Sequence, residues 1–230
     1  MTNTLITISN PRSPVAEAYR TLRTNLEFSA LDKPLRTMVA TSAGADEGKS
    51  TTLANLAVTM AQAGKRVLLV DCDLRRPSLH TIFDLRNNSG VTDLMRDDSL
   101  LAHPPFQDTP EANLKVITSG QLPPNPSELL GSRRMGEVIQ GLLAYADVIL
   151  FDTPPIIAVT DAAILSSKVD GVLLVLSAGK TSRDRAKKAQ ALLDKAHARL
   201  VGAVLNNARV DSSMGYYYAE SKETGKQGDK

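Results

Sequence analysis

A turn that contains two glycines, a lysine and two hydroxyl residues is the segment of this sequence best suited to chemistry on phosphates. It reads Ala43-Gly44-Ala45-Asp46-Glu47-Gly48-Lys49-Ser50-Thr51, between an apolar run at 38–40 and a helical pattern at 53–63. In such a turn successive backbone N–H groups point inward, and the following helix adds the partial positive charge of its N-terminus. Lys49 can then reach the β- and γ-phosphates of a nucleotide, and the Ser50 hydroxyl can ligate Mg²⁺. The pattern predicts a phosphate-binding loop, although Ala43 stands where its first glycine belongs.

Three aspartates follow apolar runs, where they can serve the same phosphate chemistry. Asp71 and Asp73 end the run 67–70, and Asp152 ends the run 148–151. A spacing of two places Asp71 and Asp73 on the same side of an extended chain. Mg²⁺ takes one or two carboxylates together with phosphate oxygens and waters, so these acids can supply a metal shell and leave one carboxylate as a base. Aspartates also favour the turns at strand ends, but three of them beside one phosphate-binding loop favour the functional interpretation.

Apolar runs alternate with amphipathic helical patterns along the whole chain. The predicted strands are 35–41, 67–70, 114–118, 148–151, 172–176 and 201–205. The first predicted helix begins at Val15, and the others cover 53–63, 91–96, 127–144, 161–168 and 182–198. This alternation predicts an α/β fold, a P-loop NTPase with a mainly parallel β-sheet flanked by helices on both faces. Ligand sites in such sheets lie at the carboxyl ends of the strands. The loop, the three aspartates and Asn206 are therefore expected to converge there.

Composition and charge limit the classes of partner and the cellular compartment that the sequence predicts. Lys and Arg number 27 against 25 Asp and Glu, a net charge of +2, which gives no electrostatic reason to expect nucleic acid or an anionic membrane as the main partner. The single cysteine, Cys72, excludes an internal disulfide and fits a reducing cytosol. No apolar run reaches the roughly 18 residues that span a bilayer, and there is no signal-peptide pattern. We expect a soluble, cytoplasmic protein whose membrane association depends on a partner.

The length of the chain favours one sizeable α/β domain with polar ends. The predicted division is a flexible N-terminal segment, 1–13, a domain, 14–210, and a disordered C-terminal tail, 211–230. The tail is polar apart from Tyr216, Tyr217 and Tyr218. A tyrosine triplet cannot form a core in such a segment, and its structural alternative is a small hydrophobic patch that docks on the domain.

Several motifs occur together in a combination that is more specific than any one of them. Besides the loop at 43–51, they are Glu17-Ala18-Tyr19-Arg20-Thr21-Leu22-Arg23, the acidic segment at 67–77, the apolar run with Asp152-Thr153-Pro154-Pro155, a Pro-rich segment before Glu128-Leu129-Leu130, and the C-terminal tyrosines. In this combination the chain resembles the bacterial tyrosine kinases (BY-kinases) that accompany capsule and exopolysaccharide synthesis. The resemblance extends from about Pro14 to Tyr218.

The resemblance implies an ATP- and Mg²⁺-dependent protein-tyrosine autokinase with assigned site residues. Lys49 would stabilise the transferring phosphoryl group, and Ser50 and Asp152 would hold the metal. Asp71 would orient or deprotonate the attacking tyrosine hydroxyl, whose ordinary pKa is about 10, while Asp73 assists metal binding. Asn206 would contact adenine.

The resemblance also implies partners. The substrate would be Tyr216, Tyr217 and Tyr218 of a neighbouring copy, phosphorylated in trans. Glu17, Arg20 and Arg23 match the family's oligomerisation motif and would form a ring, whereas their spacing alone favours a solvated helix face. A separate transmembrane adaptor related to polysaccharide chain-length regulators would recruit the kinase to the inner face of the cell membrane, and a cognate tyrosine phosphatase would reverse the modification.

Two other functions use the same motifs. A ParA/MinD-like ATPase switch would transfer the phosphoryl group to water and use ATP to drive dimerisation. Those proteins resemble the pattern K-G-G-x-G-K-[ST], and this chain has Gly44 in place of the first lysine. An ATP-binding scaffold of a polysaccharide export complex is the non-enzymatic alternative, against which the complete set of acids and Lys49 argues.

Overall fold

A computed structural model describes residues 5–29 and 33–208 of the chain. The helices are α1 (Ile6–Ser9), α2 (Pro14–Phe28), α3 (Lys49–Gln62), α4 (Leu79–Phe83), α5 (Val91–Leu94), α6 (Pro126–Gly131), α7 (Arg133–Leu142), α8 (Asp161–Ser166) and α9 (Arg183–Lys195), with a 3₁₀ turn at Asp98–Leu101. The strands are β1 (Thr37–Ser42), β2 (Val67–Asp71), β3 (Gln107–Asp108), β4 (Leu114–Ile117), β5 (Val148–Asp152), β6 (Gly171–Ser177) and β7 (Leu200–Asn206).

The strands form one sheet in the order β3-β4-β2-β5-β1-β6-β7. Every neighbouring pair is parallel except β3 and β4, which are antiparallel. Helices cover both faces, which confirms the predicted P-loop NTPase architecture. Because the central strands are parallel, β1, β2 and β5 all end at the same edge, the edge where the phosphate-binding loop begins.

The sheet separates two hydrophobic cores, and alternate side chains of each strand enter different ones. On β2, Val67 and Leu69 belong to the core beneath α3, whereas Leu68 and Val70 belong to the core beneath α7 and α8. Successive side chains of a strand point to opposite faces, so a strand covered on both faces needs apolar residues at every position. This requirement accounts for the uninterrupted apolar runs in the sequence.

Helix α3 is buried along most of its length. Its buried residues are Lys49, Thr52, Leu53, Ala54, Asn55, Leu56, Ala57, Val58, Thr59, Met60 and Ala61. One side packs on the sheet, and α1 and α2 cover much of the remainder. A helix enclosed in this way is apolar on nearly all sides. It carries the phosphate-binding loop at its first turn and therefore fixes that loop to the core.

The structure differs from the predicted elements in several places, and α4, β3 and the 3₁₀ turn were not predicted. The single helix predicted for 127–144 is two helices, because Ser132 has extended backbone angles and its hydroxyl accepts a hydrogen bond from the N–H of Met135 to begin α7. Ser127, at which the predicted helix begins, lies inside α6. Residues 6–9, expected to be loop, form α1, and the buried Thr7 hydroxyl donates to Asn55 Oδ1 at 2.9 Å.

Within the described part of the chain, no helix combines the length and the apolar character that a membrane span requires. Cys72 directly follows β2 and is fully buried, and burial raises the pKa of its thiol well above the usual value. The cysteine is therefore a small core side chain, as expected.

Candidate active site

The phosphate-binding loop occupies residues 43–48, between the end of β1 and the first residue of α3. Gly48 has a φ of +82°, in the left-handed region that favours glycine, and a Cβ there would lie 1.9 Å from Asn206 Nδ2. Residues Gly44 to Thr51, predicted as the nucleotide-binding set, all line one cleft of about 340 Å³. Larger cavities lie beside Phe106 and beside Leu35, at the opposite edge of the sheet and away from the loop. The small cleft is the site that the loop amides can serve.

Lys49 joins three of the predicted residues in one polar network. Its Nζ donates to Asp152 Oδ1 at 2.5 Å and to Ser50 Oγ at 3.0 Å, and it lies 3.7 Å from Asp73 Oδ2. The Ser50 hydroxyl in turn donates to Asp152 Oδ2 at 2.5 Å. The side chain of Asp152 is fully buried. A buried carboxylate requires a charged or hydrogen-bonding partner, and Asp152 has both.

Asp71 lies beside this network but is held by backbone groups rather than by Lys49. Its Oδ2 accepts hydrogen bonds from the N–H groups of Ser78 and Leu79, each at 3.0 Å, and its Oδ1 accepts from the Asp73 N–H at 3.2 Å. Complete burial, reinforced by the charge of Asp152, raises the pKa of Asp71 to about 7. Near neutral pH this carboxyl group is therefore poised between its protonated and ionised forms.

Asp73 shapes the segment that follows β2. Its Oδ1 accepts hydrogen bonds from the N–H groups of Arg75, at 3.4 Å, and Arg76, at 3.0 Å, while its Oδ2 faces Lys49. Burial raises the pKa of Asp73, and the Lys49 charge opposes that rise. Unlike Asp71, Asp73 lines the cleft.

The oxygen atoms beside Lys49 suit Mg²⁺. Among residues 5–29 and 33–208, no group of three or more His, Cys, Asp and Glu side chains is arranged to hold a metal ion. Mg²⁺ does not require one, since it usually takes one or two protein carboxylates and completes its shell with phosphate oxygens and waters. The Ser50 hydroxyl and the Asp152 carboxylate already touch and could both turn an oxygen toward such an ion. These residues fit the metal.

Asn206 ends β7 and packs against the loop. Its Nδ2 donates to the backbone carbonyl of Glu47 at 3.1 Å, directly beside Gly48. This contact places Asn206 at the margin of the phosphate-binding loop. The expected adenine contact stays a prediction.

A second connection to the loop carries no local signal in the sequence. The Thr181 hydroxyl donates to Glu47 Oε1 at 2.6 Å, and Lys180 Nζ donates to the Asp46 carbonyl at 2.9 Å. Glu47 is almost fully buried, and its Oε2 has no hydrogen-bond partner among the described residues. The segment between β6 and α9 therefore supports the loop from a position more than a hundred residues later in the chain.

An ion pair between an exposed arginine and a buried aspartate supports the segment that carries Asp73. Arg75 binds both carboxylate oxygens of Asp161, with Nε–Oδ2 at 2.9 Å and Nη2–Oδ1 at 3.0 Å. The Ser127 hydroxyl also donates to Asp161 Oδ1, at 2.6 Å. Asp161 is fully buried, so the pair anchors the β2–α4 segment to α6 and α8. The sequence marked Arg75 as part of the acidic motif but gave no sign of its partner.

The residues of the predicted oligomerisation motif lie on α2, away from the cleft. Arg20 Nη1 pairs with Glu17 Oε2 at 2.8 Å, and Arg23 Nη1 donates to the Thr59 carbonyl of α3 at 2.9 Å. Arg23 is thus used for packing within the protomer, whereas Glu17 and Arg20 pair at the surface. The predicted phosphorylation sites Tyr216, Tyr217 and Tyr218 lie outside the described residues.

Known proteins with similar sequences and structures include tyrosine-protein kinases and other P-loop NTPases. A family model described as "ParA: NUBPL iron-transfer P-loop NTPase" matches residues 36–221. The chain is 44% identical to tyrosine-protein kinase YwqD of Bacillus subtilis (strain 168), over 97% of this chain and 94% of that protein. It is 35% identical to tyrosine-protein kinase wzc of Salmonella typhi, over 96% of this chain but only 31% of that longer protein.

Solved structures with a similar fold include a relative at comparable sequence identity and a more distant P-loop protein. The crystal structure of the chimerical protein CapA2B2 superimposes with a TM-score of 0.85 at 39% identity, over 90% of each chain. The septum site-determining protein MinD from Pyrococcus horikoshii, complexed with Mg-ADP, gives a TM-score of 0.63 at 23% identity, over 80% of this chain and 76% of that one. At that identity the likeness to MinD shows the fold alone. Together with the phosphate-binding loop and its acids, the near full-length match to YwqD shows that the chain belongs to the bacterial tyrosine-protein kinase family.

Proposed function

We propose that this chain is an ATP- and Mg²⁺-dependent protein-tyrosine autokinase that phosphorylates C-terminal tyrosines of a neighbouring copy. The observation that carries the proposal is the network in which Lys49 touches Ser50 and Asp152 and faces Asp73, with Asp71 buried beside it. Phosphoryl transfer depends mainly on positioning and charge stabilisation, and this network supplies both. Membership of the tyrosine-kinase family supports the same reaction.

Each residue of the network has a part in the transfer. The loop N–H groups bind the phosphates, and Lys49 exchanges its contact with Asp152 for the γ-phosphate. Ser50 and Asp152 would hold Mg²⁺, with Asp73 beside them, and the ion would supply positive charge to offset that of the phosphate oxygens. Asn206 borders the adenine.

The acceptor hydroxyl reacts beside Asp71. The tyrosine oxygen forms a bond to the γ-phosphorus as the bond from that phosphorus to the β–γ bridging oxygen breaks, and ADP leaves. The tyrosine proton passes to Asp71, which the N–H groups of Ser78 and Leu79 hold in place. A carboxylate held in one position can orient the acceptor hydroxyl and also receive its proton.

The second part of the proposal concerns the acceptor residues, the assembly of copies and the protein partners. Tyr216, Tyr217 and Tyr218 are the acceptors, and α2 brings copies together in a ring through Glu17, Arg20 and Arg23. In this proposal the chain works in the cytoplasm with a separate membrane adaptor, in the regulation of capsule or exopolysaccharide synthesis. A cognate tyrosine phosphatase would restore the unmodified tail.

The ATPase switch of the MinD type is the second candidate, since the fold is shared with MinD. Position 44 weighs against it. Where that class has a lysine, this chain has Gly44, and a Cβ there would lie 2.5 Å from Arg185 Nη2. The space in front of Gly44 is thus already occupied by a cation of the same chain.

Intact-mass spectrometry after incubation with Mg·ATP and the adaptor's cytoplasmic segment tests the proposal. We expect gains of about 80 Da per phosphate that disappear when Tyr216, Tyr217 and Tyr218 are replaced by Phe. Tyr145→Phe is the matched control, because Tyr145 lies near the opposite edge of the sheet, and it should keep the gains. Release of ADP without any gain in mass would assign the chain to the ATPase-switch class instead.

A further inference from the structure

The cleft has an excess of negative charge over the charge that Lys49 supplies. Asp71, Asp73 and Asp152 lie in or beside it, and the Lys49 ammonium is the one cationic group within ion-pair distance of these acids among the residues described. A nucleoside triphosphate brings several more negative charges into the same space. Mg²⁺ offsets part of that charge, and a further cation facing the phosphates would lower the cost of the rest.

Two neighbouring arginines on the β2–α4 segment are both exposed, but their side chains differ in their partners. Arg75 is committed to the buried carboxylate of Asp161 through two hydrogen bonds. Arg76 is exposed and lines the cleft together with Lys49, Ser50 and Asp73. Within the described ranges, the Arg76 guanidinium makes no hydrogen bond and no ion pair.

The backbone of Arg76 is nevertheless fixed. Its N–H donates to Asp73 Oδ1 at 3.0 Å, and Asp73 itself faces Lys49. The anchored Arg75 precedes it. The segment therefore presents the Arg76 guanidinium on the wall of the cleft, without a side-chain partner among the residues described and accessible to an incoming anion.

Other cations near the loop are placed differently. Lys180 donates to the Asp46 carbonyl and Arg185 contacts the Ala43 carbonyl, so both are bound to the loop backbone. Neither lines the cleft. Arg76 is thus distinguished by position as well as by its lack of a partner.

We propose that Arg76 is a catalytic residue that binds the γ-phosphoryl group of ATP and stabilises it during transfer. A guanidinium offers planar, charge-assisted hydrogen bonds that match phosphate oxygens. In the ground state this contact distinguishes ATP from ADP, and in the transition state it offsets the charge on the transferring group. The catalytic part rests on the kinase function proposed above, whereas the binding part does not.

Nucleotide binding to Arg76→Ala tests the inference without relying on phosphoryl transfer. Calorimetry would compare the dissociation constants of Mg·ADP and of a non-hydrolysable Mg·ATP analogue. We expect roughly 10-fold or greater weakening for the analogue, with less than 3-fold change for ADP. Arg76→Lys, which keeps the charge but not the fork, should fall between wild type and Arg76→Ala. Arg96→Ala removes an exposed arginine outside the cleft and should change neither constant.

Kinetic measurements are the second readout. The binding role and the catalytic role proposed for Arg76 can fail separately. The kcat for tyrosine phosphorylation should fall by about 10²-fold or more in Arg76→Ala. Equal weakening of ADP and the analogue would overturn the inference in favour of a general field effect, and so would no change in either. If wild type binds both nucleotides but phosphorylates no tyrosine, the kinase proposal fails while the binding comparison still decides the γ-phosphate contact. Absence of nucleotide binding by wild type would overturn both.

Discussion

Asp71 and Asp152 face each other as register partners on the adjacent parallel strands β2 and β5, and both are fully buried. The Lys49 ammonium donates a hydrogen bond to Asp152, whereas Asp71 accepts hydrogen bonds from backbone N–H groups. Two carboxylates on neighbouring strands thus have different electrostatic partners. Asp152 is paired with a cation, and Asp71, whose pKa is raised to about 7, is suited to exchange a proton.

The stability of the metal-free protein should depend on the ionisation of Asp71. The pKa of Asp71 is raised from 3.8 to about 7 in the folded state, so the native protein binds more protons than the unfolded chain between about pH 4 and 7. Over that interval the contribution of Asp71 to the free energy of unfolding falls as pH rises, by about 4 kcal/mol in total. Urea unfolding in the presence of a chelator should show a shallower pH dependence for Asp71→Asn, with a relative gain in stability at pH 8. Identical pH profiles for the two proteins would contradict this assignment.

Removing the charge of Lys49 should cost stability as well as activity. Lys49→Met leaves the buried Asp152 carboxylate without its cation, and we expect a loss of about 3–5 kcal/mol together with loss of phosphorylation. Asp152→Asn in the same chain should restore much of the stability but none of the activity. Urea unfolding of the two single variants and the double variant measures this coupling, and additive losses would show that the pair is not coupled.

The hydroxyl of Thr181 should support the phosphate-binding loop from outside it. Thr181→Val removes the hydrogen bond to Glu47 and also the acceptor for the Ser177 N–H, and we expect a loss of about 1–3 kcal/mol in the free energy of unfolding with weaker ATP binding. Thr181→Ser keeps both contacts and is the matched control. Equal ATP affinities of the Thr181→Val and Thr181→Ser variants would show that the Thr181 hydroxyl does not support the loop.

The surface pair on α2 offers the cleanest test of ring formation. Arg20→Glu should shift the mass measured by light scattering from a ring to smaller species while leaving the melting temperature within a few degrees. Arg20 is partly exposed, and among the described residues its guanidinium pairs only with Glu17 and the Pro11 carbonyl. Arg133→Glu is the control, since Arg133 is nearly fully exposed on α7. Arg23 is less informative because its contact with Thr59 contributes to the α2–α3 packing. An unchanged mass for Arg20→Glu would favour a solvated helix face.

The strands and the phosphate-binding loop were predictable because their signals are local. Both-face burial requires apolar residues at consecutive positions, as in β2, and the loop requires a glycine at the left-handed position 48 and a lysine immediately after it. The break between α6 and α7 was not predicted, since apolar residues continue on both sides of Ser132. Its hydroxyl is the local signal that could have revealed the second helix start.

The contacts that complete the candidate site depend on the fold. Thr181 and Glu47 are 134 residues apart, and Arg75 and Asp161 are 86 apart. No spacing in one sequence links such positions, because they meet only after the sheet has formed. The different environments of Arg75 and Arg76, adjacent in the chain, have the same origin.

The enclosure of α3 has a consequence for how the protein opens and closes. A helix packed between the sheet and the helices α1 and α2 cannot unwind on its own without disrupting the core beneath it. Its central amide protons should therefore exchange with solvent only when the whole domain unfolds, and their exchange rates report the global free energy. A nucleotide held at the first turn of this helix would slow that exchange deep inside the protein, far from any atom it touches.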